Sequence, residues 1–583
     1  MNRKRVTAGI ALVLVAAIAV VFGLVRGGPA QQVTPRISAA LGPGSERQAA
    51  GTTSTSVSAD PVIGEAKFTG ASPALASLPT GPLTLPREER GKQNEASLGK
   101  QGAGGKDAAP SPPVPPTAGP MPGPMQSFDG IDMQRGCGPN FIFCLPPDTN
   151  GEVGPNHYVQ MTNSAVAVYT KTGTEVLGAT QINQLWRGTG GECEKYNDGD
   201  PVVLYDQFAD RWLLSQFIAS PDAGDQYGEC IAISTSGDPA GSYYRYEFLF
   251  GTDTFHDYPH LGIWPGGYFM TTHEFVNDVY AGAGVFAFER DKMLKGQAAR
   301  YVFFDLGPSY GGHLPADVDG KTLPPAGSPE LIFEVDDVSN LAPDRMDIWK
   351  FKVDWKNPSA STIGVGPTHQ PNYTLSVPDY VTPQCVYGNG PNCVPQLASP
   401  TMLDTIGDRL MFRAPYRNFG DHESVVLNHT VVGATGATGI RWYEVRGLST
   451  TPTITQASTF STTTRWRWMG SVAMDHRGDM AVGYSASSPA EYPSVRYVGR
   501  FAEDVPNTLP QTEALLHAGT TSQYFPLGRW GDYSDLTVDP VDDCTFWYTQ
   551  EYYSTLPTTN VTPWKTRIGS FKFGRLANGQ PAC

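Results

Sequence analysis

The sequence is short of charge, and the charge it has leans one way. Only 17% of the residues are charged, and 57 acidic against 42 basic side chains give a formal net charge of −15. A Lys/Arg surface able to track a phosphate backbone is missing, so no nucleic-acid partner is expected. Low charge combined with 11% aromatics excludes wholesale disorder. Convincing amphipathic helical periods are absent. Cysteine is scarce, eight in 583 residues, and no CxxC pair occurs, which speaks against a zinc ribbon or a thioredoxin-type site. There is no GxSxG elbow, no Walker A loop, and no GxGxxG between a strand and a helix. His422-Glu423 with His429 is not HExxH, and a separation of seven puts the two histidines on opposite faces of a strand. These absences leave no local catalytic signature, although a triad assembled from distant residues is untouched by them.

One long apolar run is present. Met1-Asn2-Arg3-Lys4-Arg5 precedes an uncharged stretch from Val6 to Val25, followed by Arg26. A basic segment before an apolar one is an export signal, and about 20 residues also suffice to cross a bilayer. No cysteine follows for a lipid anchor, and no clear small-x-small cleavage site is seen. A cleaved signal and an uncleaved anchor fit equally, and both place the rest of the chain in the cell envelope or outside the cell. Any membrane contact is expected through this segment alone. All eight cysteines follow it, an even number in an exported chain, which predicts disulfides. Proximity pairs them as Cys137–Cys144, Cys193–Cys230, Cys385–Cys393 and Cys544–Cys583.

Glycine (64) and proline (50) are abundant, and they concentrate in two ways. Residues 31–125 are rich in Ala, Gly, Ser, Thr and Pro, and 110–124 have polyproline II composition. Such a stretch buries too little apolar surface to offset its ordering entropy, so a disordered Pro-rich stalk is expected. From Ser127 to Cys583, short strands rich in aromatic and β-branched residues alternate with Gly/Asp/Asn/Pro turns. A degenerate unit recurs, an apolar segment, a Gly/Asp turn and an aromatic strand, starting near Asp148, Asp200, Tyr258, Asp317, Leu403, Ser471 and Ser534. Another period-2 strand follows each, such as Ala165-Val-Ala-Val-Tyr169 or Arg567-Ile-Gly-Ser-Phe-Lys-Phe573. This is the requirement of a propeller blade, which cannot bury both faces alone. The expectation is an all-β chain with a single β-propeller of seven blades, six or eight if the irregular stretch 357–400 is counted differently. The domains read as an export signal or anchor (1–30), a linker (31–125) and the propeller (126–583).

Several segments carry a resemblance. Pro146-Pro-Asp-Thr-Asn-Gly-Glu-Val-Gly-Pro-Asn-His-Tyr-Val-Gln160, Gly199-Asp-Pro-Val-Val-Leu-Tyr-Asp-Gln-Phe-Ala-Asp-Arg-Trp212, Tyr416-Arg-Asn-Phe-Gly-Asp-His-Glu-Ser424 and Arg529-Trp-Gly-Asp-Tyr-Ser534 resemble a family of large exported bacterial proteins. The resemblance covers about 130–575 and implies export and a propeller-like fold, with no assigned reaction. More distantly, the chain is similar to sialidase- and glycosidase-type propellers. Ser234-Thr-Ser-Gly-Asp-Pro-Ala-Gly-Ser-Tyr243 departs from the sialidase Asp box, because Asp238 and Gly241 stand one residue too far apart.

In a propeller, residues just before the innermost strands become neighbours around the channel mouth. Here they are Asp148, Asp198, Asp200, Asp257 with His260, Asp317 with Asp319, Asp404, Arg465 with Arg467, and Arg529 with Asp532. Such an acid-rich ring could hold Ca²⁺, with Asp198 and Asp200 as ligands. It could also supply the carboxylate pair of a glycosidase, Asp200 with Asp317 or Asp257 with Asp532. Equally, Asp before a strand hydrogen-bonds its own turn. His256, Tyr258 and His260 would share one face of an extended strand as ligand-binding groups. Arg465 and Arg467 would form an anion clamp. The functional expectation is an exported propeller binding an extracellular glycan, polymer or protein at its central pocket. A glycoside hydrolase and a structural protein with no small ligand are the alternatives.

Overall fold

The computed structural model describes residues 58–78, 119–137, 145–219, 221–338, 343–385, 388–461, 464–524, 528–555 and 562–574. The export segment and most of the Pro-rich stretch lie outside the described residues. The chain is all-β, built mostly from antiparallel sheets in which most strands pair with the next strand in sequence. The alternation read from the sequence becomes ladders such as His157–Thr162 on Ala165–Thr170 and Arg211–Ile218 on Tyr227–Ser234. Both faces of the central strands are covered, so a strand like Arg211–Ile218 is buried at every residue but its first. A sheet covered on both sides demands such strands.

The first strand of each sheet lies innermost. These strands are Asn150–Val153, Val202–Asp206, Thr254–Trp264, Leu314–Asp319, Ala414–Asn418, Trp466–Met474 and Asp535–Val538. Each touches the next, and the last touches the first, so they form a closed ring. Leu314–Asp319 and Ala414–Asn418 come close enough to pair in parallel, Ala316 opposite Ala414, which fuses a five-stranded and a four-stranded unit into one nine-stranded sheet. Counting that sheet as one or as two is the difference between six and seven blades. The irregular stretch before Ala414 holds a separate hairpin, Val394–Gln396 with Ser399–Leu403, and the Cys385–Cys393 disulfide.

The ring is closed by the two ends of the propeller sequence. Gln126–Asp132 lies antiparallel to Lys565–Phe571 as the outer strand of a sheet whose other strands are C-terminal. Gln160 of the first sheet locks this closure. Its Oε1 accepts the Ile131 amide at 2.7 Å, and its Nε2 donates to Thr549 and Thr566 Oγ1, both at 2.9 Å. Gly130 makes room, because a Cβ there would stand 2.2 Å from Gln160 Oε1.

One result differs from the sequence reading. Residues 58–78, inside the stretch expected to be stalk, are ordered: Val62–Glu65 pairs with Arg300–Asp305, and Lys67–Ala71 pairs with Tyr243–Gly251. Edge strands bury little, so composition does not reveal them. The Cys193–Cys230 and Cys385–Cys393 pairings are present. Cys137 and Cys544 are also disulfide-bonded, and the partners expected for them, Cys144 and Cys583, lie outside the described residues.

The closure strand supplies a direct test. Ile131 is fully buried, and Ile131→Ala is expected to cost about 2–4 kcal/mol in urea denaturation. An unchanged midpoint would mean that ring closure does not limit stability.

Candidate ligand cleft and channel

Two polar layers cross the ring. The upper one lies where the inner strands begin. Asp148 and Asp200 each stand two residues ahead of an inner strand with φ of 44° and 43°. Asp tolerates this left-handed conformation better than most residues. Asp148 Oδ1 accepts the Asp532 amide at 2.8 Å, and its Oδ2 takes Asn163 Nδ2. Asn163 Oδ1 in turn accepts the Asp200 amide at 2.8 Å. Asp198 Oδ2 accepts the Ala219 amide at 2.9 Å, and Asp257 Oδ1 accepts the Tyr258 amide at 2.8 Å. Arg529 bridges Asp404 at 3.0 Å and Asp532 at 2.7 Å. Burial, against the pull of Arg529, pushes the Asp404 carboxyl up to about 6.

Aromatic rings pack within this layer. Tyr258 lies 4.2 Å from His260 and 5.4 Å from Tyr533, and His260 stacks on Phe412 at 5.5 Å. The Tyr533 hydroxyl donates to Pro259 O at 3.0 Å and reaches Asp200 at 3.4 Å. His260 is 1% exposed, and neither ring nitrogen has a hydrogen-bond partner among the described residues. Burial, with His273 and Arg409 nearby, holds its imidazole well below the usual range, and so neutral.

The expected single face of His256, Tyr258 and His260 is corrected here. The ladder to Gly267–Val276 slips between Asp257 and His260, and Tyr258 sits at φ 53°. A bulge of this kind breaks the period of two. His256 consequently points into the sheet, against Phe250, Phe286 and Phe303, with Glu274 at 3.4 Å.

The lower layer surrounds one arginine. Arg413, 2% exposed, donates Nε to Asp317 at 2.9 Å and Nη1 to Asp319 at 3.1 Å, and its Nη2 bonds both carboxylates. Asp317 Oδ1 also accepts the Ile263 amide at 2.9 Å. Glu152 and Asp535 are buried within reach of the same charges, and burial, against the pull of Arg413, raises both carboxyls well above the usual range. A narrow cleft opens here, lined by Glu152, Asp317, Asp319, Arg413, Gln207 and Asp543 among others, and it leaves about 20 Å³. That is room for roughly one water. Arg417 stands beside it and holds Asp543 at 2.7 Å.

The candidate residues thus fall into separate groups. Asp148, Asp198, Asp200, Asp257, Tyr258, His260, Arg529 and Asp532 belong to the upper layer, and Asp317 belongs to the lower. Arg465 and Arg467 pair with Glu491 and Glu513 of their own sheet. Sequence reasoning missed Glu152, Arg413, Phe412 and Asp535. The available signal was Arg413 itself, a lone charge in the apolar run Leu410-Met-Phe-Arg-Ala-Pro415.

Among the described residues two groups of side chains bring three ligand atoms within cation-binding range, and neither includes Asp198 or Asp200. In Asp475–His476–Cys544 the cysteine is committed to a disulfide. Into Glu334–Asp336–Asp347, Arg345 supplies the positive charge, 2.8 Å from Asp336 and 3.0 Å from Asp347.

No family model and no curated protein matches the chain. Among solved structures, the endo-arabinase from Bacteroides thetaiotaomicron VPI-5482 is similar at 13% identity, over 53% of this chain and 95% of that one, with a TM-score of 0.25. The Trypanosoma rangeli sialidase in complex with sialic acid is similar at 8% identity, over 70% and 57%, with a TM-score of 0.28. An ulvan lyase, a polysaccharide lyase bound to its oligosaccharide, is similar at 11% identity, over 81% and 98%, with a TM-score of 0.28. Likeness at this level carries no argument about this chain's chemistry.

The buried carboxyls set a pH dependence. Asp475 is pushed up to about 8 and Asp479 to about 6, by burial first, from about 3.9 in the unfolded chain. A carboxyl raised on folding binds its proton more tightly in the native state. Its contribution is complete below about pH 4 and is lost as pH rises through the folded value. Stability should therefore fall between about pH 4 and pH 8, and Asp475→Asn should flatten the upper part of that slope. A melting temperature independent of pH over this range would contradict the assignment. Arg413→Met should cost about 3–5 kcal/mol near neutrality, because it strands buried carboxylates, and should be partly rescued by acid.

Proposed function

We propose that this chain is an exported β-propeller that binds an extracellular glycan across the mouth of the acid-lined cleft below its channel, with no more than a single hydroxyl entering the cleft, and that it holds this ligand without turning it over. The disulfides support an oxidising compartment. Among the described residues no helix is long and apolar enough to cross a membrane, and the apolar run Val6–Val25 lies outside them. The observation that carries the reading is the commitment of the upper carboxylates: Asp148, Asp404 and Asp532 are tied to backbone amides or to Arg529, and the rings of Tyr258, His260, Phe412 and Tyr533 fill the space between them. A glycosidase needs two free carboxyls with a sugar between them. The lower cleft offers acceptors, Asp319 and Asp543, to a ligand rich in hydroxyl donors. A Ca²⁺ ion bridging these carboxylates to sugar oxygens belongs to the same proposal.

One observation favours a second reading. Glu152, its carboxyl raised by burial, shares the cleft with Asp317 and Asp319, which Arg413 holds. A protonated and an ionised carboxyl side by side are the components of acid/base glycoside hydrolysis.

The test uses the full-length protein on a glycan array and in calorimetry, with and without EDTA, beside a panel of chromogenic glycosides. Binding without turnover, weakened at least tenfold by Asp319→Asn, is the expected result. Turnover abolished by Glu152→Gln would replace the binder with the hydrolase, and neither binding nor turnover would remove both.

A further inference from the structure

Residues 58–78 are added to sheets that are complete without them. The sheets of 150–181 and 466–518, and the closure sheet, have four strands. Those of 202–251 and 254–305 have a fifth, and both fifth strands come from this segment. Ring closure does not use it, since Gln126–Asp132 performs that task.

The segment is nonetheless held by features that fit its own sequence. Gly64 lies opposite Tyr301, and a Cβ there would stand 2.2 Å from the tyrosine ring. Phe68 packs 5.0 Å from Tyr246. Arg245, 7% exposed, donates Nη2 to Thr69 O at 2.9 Å and to Ala71 O at 3.3 Å, and Nε to Gly70 O at 3.3 Å. Leu75 is fully buried among side chains of the first two sheets. His369 Nε2 meets Ser58 O at 2.9 Å. One short segment therefore touches four successive sheets. Val62 and Ile63 face outward, 51% and 40% exposed, so the segment binds by its backbone and a few small or seated side chains.

We propose that the outer edges of these two sheets form a strand-acceptor site, that residues 58–78 occupy it in cis, and that the same site takes this segment from a second copy of the chain. Strand addition at a sheet edge draws affinity from backbone hydrogen bonds and specificity from side-chain seats. Gly64 beneath Tyr301 and the seat of Leu75 select this sequence over other extended peptides, which makes another copy the fitting donor. The 40 residues from 79 to 118 separate the segment from Gly119, where the stretch leading into the closure strand begins, a span of at most about 130 Å. That length lets the segment serve a neighbouring molecule, as in strand exchange between protomers.

The experiment uses the full-length chain with a specific protease sequence in place of residues 96–102, cut after folding. Fluorescently labelled peptide 58–78 is then added, beside a Gly64→Val peptide and a Leu75→Asp peptide, which leave the protein itself untouched. The expected result is uptake of about one wild-type peptide per chain, displacement of the native segment, an unchanged near-ultraviolet dichroism of the body, and at least tenfold weaker binding of both altered peptides. The uncut chain at rising concentration should sediment with a dimer that excess peptide returns to monomer. Equal uptake of the altered peptides, or uptake only after denaturant unfolds the body, would overturn the acceptor site. Absence of a peptide-sensitive dimer would overturn the second copy as donor.

Discussion

A strand from residues 126–132 pairs with a strand from residues 565–571, and everything else in the channel depends on that ladder. It joins the two ends of the propeller sequence into one sheet, so the ring has no open seam. Gln160 makes the join three-way, because its single amide reaches the outer strand at Ile131 and both C-terminal strands through Thr549 and Thr566. A buried side chain that satisfies this many partners is costly to lose, since each orphaned group then pays its own desolvation. Only with the ring shut do Gly151 and Asp535, far apart in sequence, stand within bonding range. The lower polar layer is a consequence of closure.

The upper layer depends on a second constraint, repeated in several sheets. Asp148, Asp200, Tyr258, Gly312 and Met469 have positive φ, each at or just before the point where an inner strand settles into its ladder. The chain enters the ring through a left-handed kink and then runs down the channel. Where the kink carries Asp, the carboxylate turns back to the backbone of a neighbouring strand, as Asp148 does to Asp532. Where it carries Tyr258, the ring is thrown into the middle of the layer, against His260 and Tyr533. One backbone device therefore produces both the tethered carboxylates and the aromatic packing.

Much of this was legible in the sequence. Alternating strands, the recurring unit and the two cysteine pairings rest on local chemistry, and local chemistry decided them. The kinks were not legible, because a bulge at Tyr258 looks like any other step in Phe255-His-Asp-Tyr-Pro-His260. It moved His256 to the other side of the strand from the place that alternation assigns. Residues 58–78 were hidden for a different reason. Their strands have Gly at 64 and 70 and turn Val62 and Ile63 to solvent, so their stability comes from edges built hundreds of residues later. Glu152, Arg413 and Asp535 meet only when three inner strands converge, and no spacing in the sequence encodes that meeting.

The convergence explains where part of the surplus acidity goes. Within the lower layer four carboxyls, Glu152, Asp317, Asp319 and Asp535, share Arg413. Buried unpaired charge is far more costly than a shifted pKa, so burial raises the two carboxyls outside the guanidinium's direct reach well above the usual range and favours their neutral forms. Arg413 gives its three donor nitrogens to Asp317 and Asp319, which leaves Glu152 and Asp535 to be neutralised by hydrogen instead. Any ligand that brings positive charge to the cleft would compete with those protons, and its affinity would rise with pH as they leave.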